Sequence, residues 1–259
     1  MRTALFTDLD GTILFSKRTL PEHLTEKDCV KAETYSNGGY GLMEEKLVAF
    51  LEEWQQKNLL IPVTTRSTEQ FERLRTVWKR IPVPYALASN GGNLYRDGVL
   101  DENWNKKVRA NLAVELSYKE AVLSILNVIL PQESVRKIKD IDGLYYCILV
   151  TERSWEQAFI NEVNAALAVY DWIGFFQHKK LYFLPKGLTK ERAVKTLLTE
   201  LSEELVCVGL GDTDMDQQML LECDQHMYFG KNQSFDEGLV SGSYSFEVVK
   251  KLLENQDIK

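Results

Sequence analysis

Asp8 and Asp10 stand two residues apart in Asp8-Leu9-Asp10-Gly11-Thr12, directly behind the apolar run Ala4-Leu5-Phe6. A carboxylate at the end of a strand can attack phosphorus to form an aspartyl-phosphate. A second carboxylate beside it can give a proton to the leaving oxygen and later take one from water. Neighbouring carboxylates push one of their pKa values upward, which suits that division of labour. An Asx turn or a calcium loop is the plainer alternative. An EF-hand requires Gly at its sixth position, and counting from Asp8 that position is Ile13, so the calcium loop is excluded.

Asp212, Asp214 and Asp216 follow a second apolar run, Leu205-Val206-Cys207-Val208. They do not make an EF-hand either, since the sixth and twelfth positions would be Gln217 and Cys223. Acids ahead of a helix can act as simple caps. Capping accounts for one or two of them; three crowded behind a buried strand repel one another unless a cation joins them. Mg²⁺, which takes a few carboxylates with water and substrate phosphate, is the expected ion. Lys190 stands where a helix is expected to begin, a place where a cation opposes the helix dipole unless an anion sits beside it. A solvated Lys next to Glu191 is the ordinary alternative. Thr64 closes a third apolar run, Leu59-Leu60-Ile61, where its hydroxyl and the N–H groups beyond it could hold phosphate oxygens.

These groups need strand ends to gather them, and the periodicity supplies the strands. Met43, Leu47, Phe50, Leu51 and Trp54 recur at i, i+4, i+7, i+8 and i+11 and mark one face of a helix leading to the strand at 59–63. Phe15 to Gly41, with Pro21 and Asn37-Gly38-Gly39, reads as a flap or hairpin. Ser67-x-x-Gln70 is a capping box opening the next helix. From roughly 101 to 182 the pattern changes to α+β: helices opened by Ser117-x-x-Glu120 and Ser154-x-x-Gln157, and strands near 135–140, 144–151, 172–176 and 181–184. Strand-helix alternation returns after Pro185, with a helix carrying Leu188 to Leu201, a strand at 205–209, a helix from about 213 and a strand at 226–229. The expected architecture is an α/β core of residues 1–100 and 181–259 around a doubly wound, mostly parallel sheet, with an inserted α+β domain at 101–180.

The chain has 259 residues, 44% of them hydrophobic, and a formal charge of −7. That is enough apolar content for ordinary cores, and the charge disfavours nonspecific binding to nucleic acid or anionic membranes. Acid at Asp8 interrupts the N-terminal run too early for a signal peptide, and no apolar stretch reaches membrane-spanning length, so a cytoplasmic location is expected. Cys29, Cys147, Cys207 and Cys223 lack C-x-x-C spacing and read as reduced thiols. The chain carries no signal for an oligomeric state.

Taken in order, the segments resemble the haloacid dehalogenase (HAD) superfamily of phosphatases. Asp8 to Thr12 matches its D-x-D-G-T motif, Thr64 its second-motif Ser/Thr, Lys190 its third-motif Lys, and Gly211-Asp212 with Asp216 its fourth acidic motif. The position of the insertion, with Asn90-Gly91-Gly92 and the segment Pro185 to Lys190, is similar to the Cof-type branch, which includes sucrose-phosphate and mannosyl-phosphoglycerate phosphatases. The resemblance implies a C2-type cap over the core, with Asp8 as nucleophile and metal ligand. Asp10 would be general acid/base, with its carbonyl on Mg²⁺. It further implies Asp212 as the main fourth-motif acid, Asp216 in support of the metal, and Thr64, Thr65, Gly11 and Lys190 around the phosphoryl group. Two positions depart from the branch: Met215 stands for Asn in Gly-Asp-x-x-Asn-Asp, and Thr65 for Gly in Thr-Gly-Arg.

The expected substrate is a small phosphorylated metabolite, with a sugar phosphate as the family-level choice. A phosphomutase of the same fold and a noncatalytic phosphate-binding sensor are the alternatives. Leaving-group recognition would fall to the inserted domain, where Tyr145, Arg153, Trp172, His178 and Lys180 are candidates.

Overall fold

The computed structural model describes residues 1–151, 154–177, 179–230 and 239–254. The chain divides into two compact units, one of Met1–Asp101 with Lys190–Lys259 and one of Glu102–Thr189.

The first unit begins with β1 (Arg2–Thr7), in which Ala4, Leu5 and Phe6 are all buried. The expected flap is a three-stranded antiparallel sheet, ordered β2-β4-β3, of β2 (Phe15–Ser16), β3 (Cys29–Thr34) and β4 (Tyr40–Glu44). The turn between β3 and β4 places Gly38 at φ +80°, the left-handed region where glycine avoids a side-chain clash. Helix α1 (Glu45–Trp54) follows with Leu47, Val48 and Leu51 buried; Met43, expected on its apolar stripe, belongs to β4. Next come β5 (Leu59–Pro62), α2 (Thr68–Glu72), α3 (Arg75–Arg80), β6 (Tyr85–Ala88), β7 (Asn93–Arg96) and β8 (Val99–Leu100). The capping box is present as read: Ser67 Oγ accepts from Gln70 N, and Gln70 Oε1 accepts from Ser67 N.

The second unit contains α4 (Glu102–Asn111), α5 (Ala113–Ser117), α6 (Lys119–Ile129), β9 (Val135–Ile141), β10 (Tyr145–Val150), α7 (Gln157–Ala168), β11 (Trp172–Gln177) and β12 (Lys180–Pro185). Its sheet is antiparallel, ordered β11-β12-β10-β9. The run Leu181 to Leu184, which the sequence pattern groups with the inserted α+β segment although the boundary at 180 stops short of it, is an interior strand of this second sheet. A buried apolar run fits either sheet, and periodicity alone cannot choose; the unit's second boundary falls at Thr189 rather than 180. Two helix starts also differ. Ser117 closes α5, its hydroxyl donating to Val114 O, and α7 is preceded by Glu156 rather than capped by Ser154.

The chain then returns to the first unit with α8 (Lys190–Leu201), β13 (Leu205–Gly211), α9 (Gln217–Leu221), β14 (Gln225–Tyr228) and α10 (Phe246–Glu254). These complete a parallel sheet ordered β14-β13-β1-β5, in which Thr7 lies opposite Leu210 and Pro62. A parallel bridge from Val63 to Leu87 couples β6 to its edge. Leu5, Leu60, Val208 and Leu210 join Leu47, Leu51, Leu74 and Val249 in one core, as expected of parallel strands covered by helices. All four cysteines are free. No helix among the described residues is long and apolar enough to cross a membrane.

Candidate active site

The carboxyl ends of β1 and β13 lie side by side, and the polar residues follow them directly. Asp8 N donates to Leu210 O at 2.9 Å, which fixes the first acid beside the end of β13. Asp212 begins the loop after β13, and Lys190 is the first residue of α8. This is the strand-end crevice in which open α/β sheets hold ligands.

Lys190 is the hub. Its Nζ donates to Asp8 Oδ1 at 2.5 Å and to Asp216 Oδ1 at 2.6 Å, and all three side chains are buried. Asp216 turns its other oxygen to Thr213 N at 2.9 Å, Thr213 Oγ1 at 2.7 Å and Asp212 N at 3.2 Å. That carboxylate thus ties up the loop, which delays α9 to Gln217 rather than the expected 213. Thr12 Oγ1 donates to Asp212 Oδ1 at 3.0 Å. Asp214 is exposed and accepts from Gln217, so the third acid of the motif is turned away; Met215 is buried.

Burial drives the titration of the group. It pushes the Asp8 carboxyl up to about 7 against the pull of Lys190, with Asp216 adding to the rise. Asp212 rises to about 8 through burial, then through Asp8 and Asp216. For Lys190, burial works against the charge, but Asp216 and Asp8 overcome it and hold the ammonium above its usual range.

One oxygen from each of Asp8, Asp212 and Asp216 can be chosen so that all lie within 4.8 Å of one another. Three carboxylates face one ammonium, and hard oxygen donors in excess negative charge suit a divalent ion such as Mg²⁺. The chain makes room for them at Gly11, where φ is +96° and an added Cβ would fall 2.2 Å from Asp212 Oδ2. Gly11→Ala is expected to displace Asp212 and weaken Mg²⁺ affinity by about tenfold or more, the scale of a lost supporting contact at a metal site. A Mg²⁺ titration of thermal stability checks this, and an unshifted midpoint would refute it.

Asp10 stands apart from this cluster. Its carboxylate is gripped by Arg66 from two sides, Nε to Oδ2 at 2.6 Å and Nη2 to Oδ1 at 2.8 Å, while Arg66 Nη2 also donates to buried Glu33 at 2.5 Å. Sequence reading noted Arg66 only as part of a pattern and missed Glu33. A β-bulge between Lys31 and Glu33 breaks the alternation that would have flagged Glu33 as inward-facing. Thr64 is buried after β5; its Oγ1 accepts from Arg66 N at 3.2 Å, which leaves its own proton to donate. Thr65 is half-buried beside it. Ser89 N donates to Arg66 O and Asn90 N to Thr64 O, so the Asn90-Gly91-Gly92 segment braces this loop.

The leaving-group candidates divide. Trp172 is buried, with its indole N–H donating to Glu115 O, and is a packing residue of the second unit. Tyr145 is fully buried and Lys180 exposed. Arg153 and His178 lie outside the described residues.

No protein-family model matches the chain, and no curated protein matches it. Solved structures do. Sucrose-phosphatase from Synechocystis, determined with sucrose and phosphate, aligns over 97% of this chain and 98% of its own with a TM-score of 0.59 at 16% identity. Trehalose-6-phosphate phosphatase from Aspergillus fumigatus covers 98% of this chain and 93% of its own, TM-score 0.54, at 12% identity. A haloacid dehalogenase-like hydrolase from Bacillus subtilis covers 98% and 91%, TM-score 0.54, at 14% identity. The chain has the haloacid dehalogenase-like fold, an α/β core with a second α+β unit inserted in it. At these identities the likeness is one of fold, and the chemistry rests on the residues.

Proposed function

We propose that the protein is a Mg²⁺-dependent phosphomonoester hydrolase that works through an aspartyl-phosphate on Asp8. The observation that carries this reading is the buried Asp8–Lys190–Asp216 group, with Asp212 beside it, at the strand ends. Asp8 Oδ attacks phosphorus as the bond to the leaving oxygen breaks, and Asp10 supplies the proton that oxygen needs. Water then attacks the aspartyl-phosphate, giving its proton to Asp10, and inorganic phosphate leaves. Lys190 and the Thr64 hydroxyl hold the phosphoryl oxygens, with Thr65 and the Gly11 backbone beside them. Asp8, Asp212 and Asp216, with the Asp10 carbonyl, would hold the metal, which when bound neutralises charge on the phosphoryl group. Positioning and charge neutralisation carry most of the rate in such transfers.

A sugar phosphate or similar small phosphorylated metabolite is the substrate class we infer. It is supported by the fold shared with phosphatases of sucrose and trehalose phosphates, with Glu102–Thr189 as the cap that reads the leaving group. Phosphate release from a panel of phosphomonoesters, with Mg²⁺ and with EDTA, tests the reading. Release that ignores EDTA would count against the metal, and a requirement for a bisphosphate activator would identify a mutase instead.

The raised carboxyls make a further prediction for the metal-free protein. Asp8 and Asp212 take up protons more readily folded than unfolded, so the folded state binds more protons between about pH 4 and pH 8. Stability then falls as pH rises through that window. Thermal midpoints in EDTA should drop from pH 5.5 to pH 8.5, and saturating Mg²⁺ should recover most of the loss by binding only the folded state. A flat EDTA profile would contradict the ionisation pattern.

A further inference from the structure

We infer that Glu33, acting through Arg66, is a positioning residue for Asp10. The inference rests on the phosphatase reading for its chemistry and on geometry for its residues.

Glu33 comes from the flap, far in sequence from the acids it serves. Its side chain has no exposed surface, and Arg66 is only 6% exposed, whereas Asp10 is 40% exposed. A buried ion pair is a poor source of stability, since apolar residues of similar size often serve as well or better. The protein nonetheless shapes its backbone around this one. The bulge in β3 turns Glu33 inward, and Gly41 across the sheet leaves it space: a Cβ there would come within 3.0 Å of both Cγ and Oε1 of Glu33. The second oxygen of Glu33 lies 3.3 Å from Arg73 Nε without the alignment of a hydrogen bond. Arg66 is therefore its aligned charged donor, with the Tyr35 hydroxyl as a neutral hydrogen-bond partner beside it.

Arg66 is itself fixed at several points. Its Nη1 donates to Gln70 O at 3.3 Å, its N–H to Thr64 and its carbonyl accepts from Ser89. Nη2 is shared between Glu33 and Asp10. The guanidinium is thus a planar bracket seated on Glu33, and its two-point grip sets the plane and position of the Asp10 carboxylate. Without the seat, Arg66 can follow Asp10 outward, and the carboxyl loses its fixed relation to the leaving oxygen.

The test separates proton delivery from phosphoryl transfer. The value of kcat/KM covers only the steps through transfer to Asp8. Over those steps p-nitrophenyl phosphate releases a stable phenolate without help, whereas glycerol 3-phosphate releases an alkoxide that must be protonated. Glu33→Gln keeps the size and removes the charge. It is expected to lower kcat/KM for glycerol 3-phosphate by about 10- to 100-fold, part of the 10²–10⁴ that general acid–base catalysis supplies. The value for p-nitrophenyl phosphate should change by less than about threefold. Arg66→Lys, which loses the two-point grip, should show the same split. Equal losses on both substrates, or none, would overturn the inference.

An activity-free arm uses the Arg66 side-chain Nε–H resonance, assigned by its disappearance in Arg66→Lys. It should be sharp and slow to exchange in the wild type and broadened in Glu33→Gln. An unchanged resonance overturns the role of Glu33 whatever the activity. A wild type inert toward both esters would instead count against the phosphatase reading, leaving this arm to decide whether Glu33 seats Arg66.

Discussion

Asp8→Asn is expected to abolish phosphate release, with turnover falling by roughly 10⁴-fold or more, as when other covalent nucleophiles are removed. Asparagine keeps the shape and an oxygen that can still accept from Lys190, so the fold should survive. Asp8 is driven toward its protonated form by burial, so an uncharged side chain there relieves a penalty that grows with pH. The variant should match or exceed the thermal midpoint of the wild type at pH 8 in EDTA while being inactive. That pairing of intact fold and lost turnover separates a nucleophile from a structural residue. Phosphate release by Asp8→Asn at more than about a hundredth of the wild-type rate would remove the aspartyl-phosphate from the mechanism. Trapping of ³²P on the wild type and not on the variant, after acid quench, gives the direct readout.

Lys190→Ala should have the largest effect on stability. Its ammonium is 1% exposed and bonded to two buried carboxylates. Breaking a buried pair by removing one partner costs about 3–5 kcal/mol, since the remaining charge is stranded; here two acids are stranded. The cost should depend on pH. Asp8, raised to about 7 by burial, can take a proton near pH 5 and the loss is then small, whereas near pH 8 the wild type sets its carboxylate against an ammonium that the variant lacks. Denaturant unfolding in EDTA at the two pH values measures this. A Lys190→Ala protein as stable as the wild type at pH 8 would show that the ammonium does not bind the cluster together. Mg²⁺ should restore part of the stability but not the activity, because the clamp on the phosphoryl oxygens is gone.

The candidate site groups were legible because each sits at a fixed offset from a buried strand. Asp8 follows β1, Thr64 follows β5 and Asp212 follows β13, and an apolar run followed by a polar residue carries that information in one dimension. Lys190 was legible from its awkward place at a helix start, and the structure supplies the two anions that justify it. Asp214 was over-read: spacing alone cannot tell an acid that turns inward from one that faces solvent. Glu33 was invisible because its burial depends on a bulge, which cancels the alternation a strand is read by. The boundary at 180 cut Leu181 to Leu184 from its own sheet because a run of buried residues does not say which sheet it joins. Ser117 and Ser154 failed as helix openers because a capping pattern holds only where the next residues start a helix, and here the neighbouring turns took precedence.

The inserted segment is tied down where it leaves and rejoins the first unit. Asp101, its last residue before the insertion, donates its N–H to Leu94 O and pairs with Arg96 at 2.7 Å. The chain returns directly into Lys190, which is anchored on Asp8 and Asp216. Residues 102–189 can therefore gain, lose or exchange sequence between two nailed-down points without disturbing the register of β1 against β13 on which the acids depend. In evolutionary terms, under the proposed reading in which residues 102–189 choose the molecule to react, that choice and the reaction are free to drift at separate rates. Sequence change among proteins that share this core is expected to concentrate in the inserted segment.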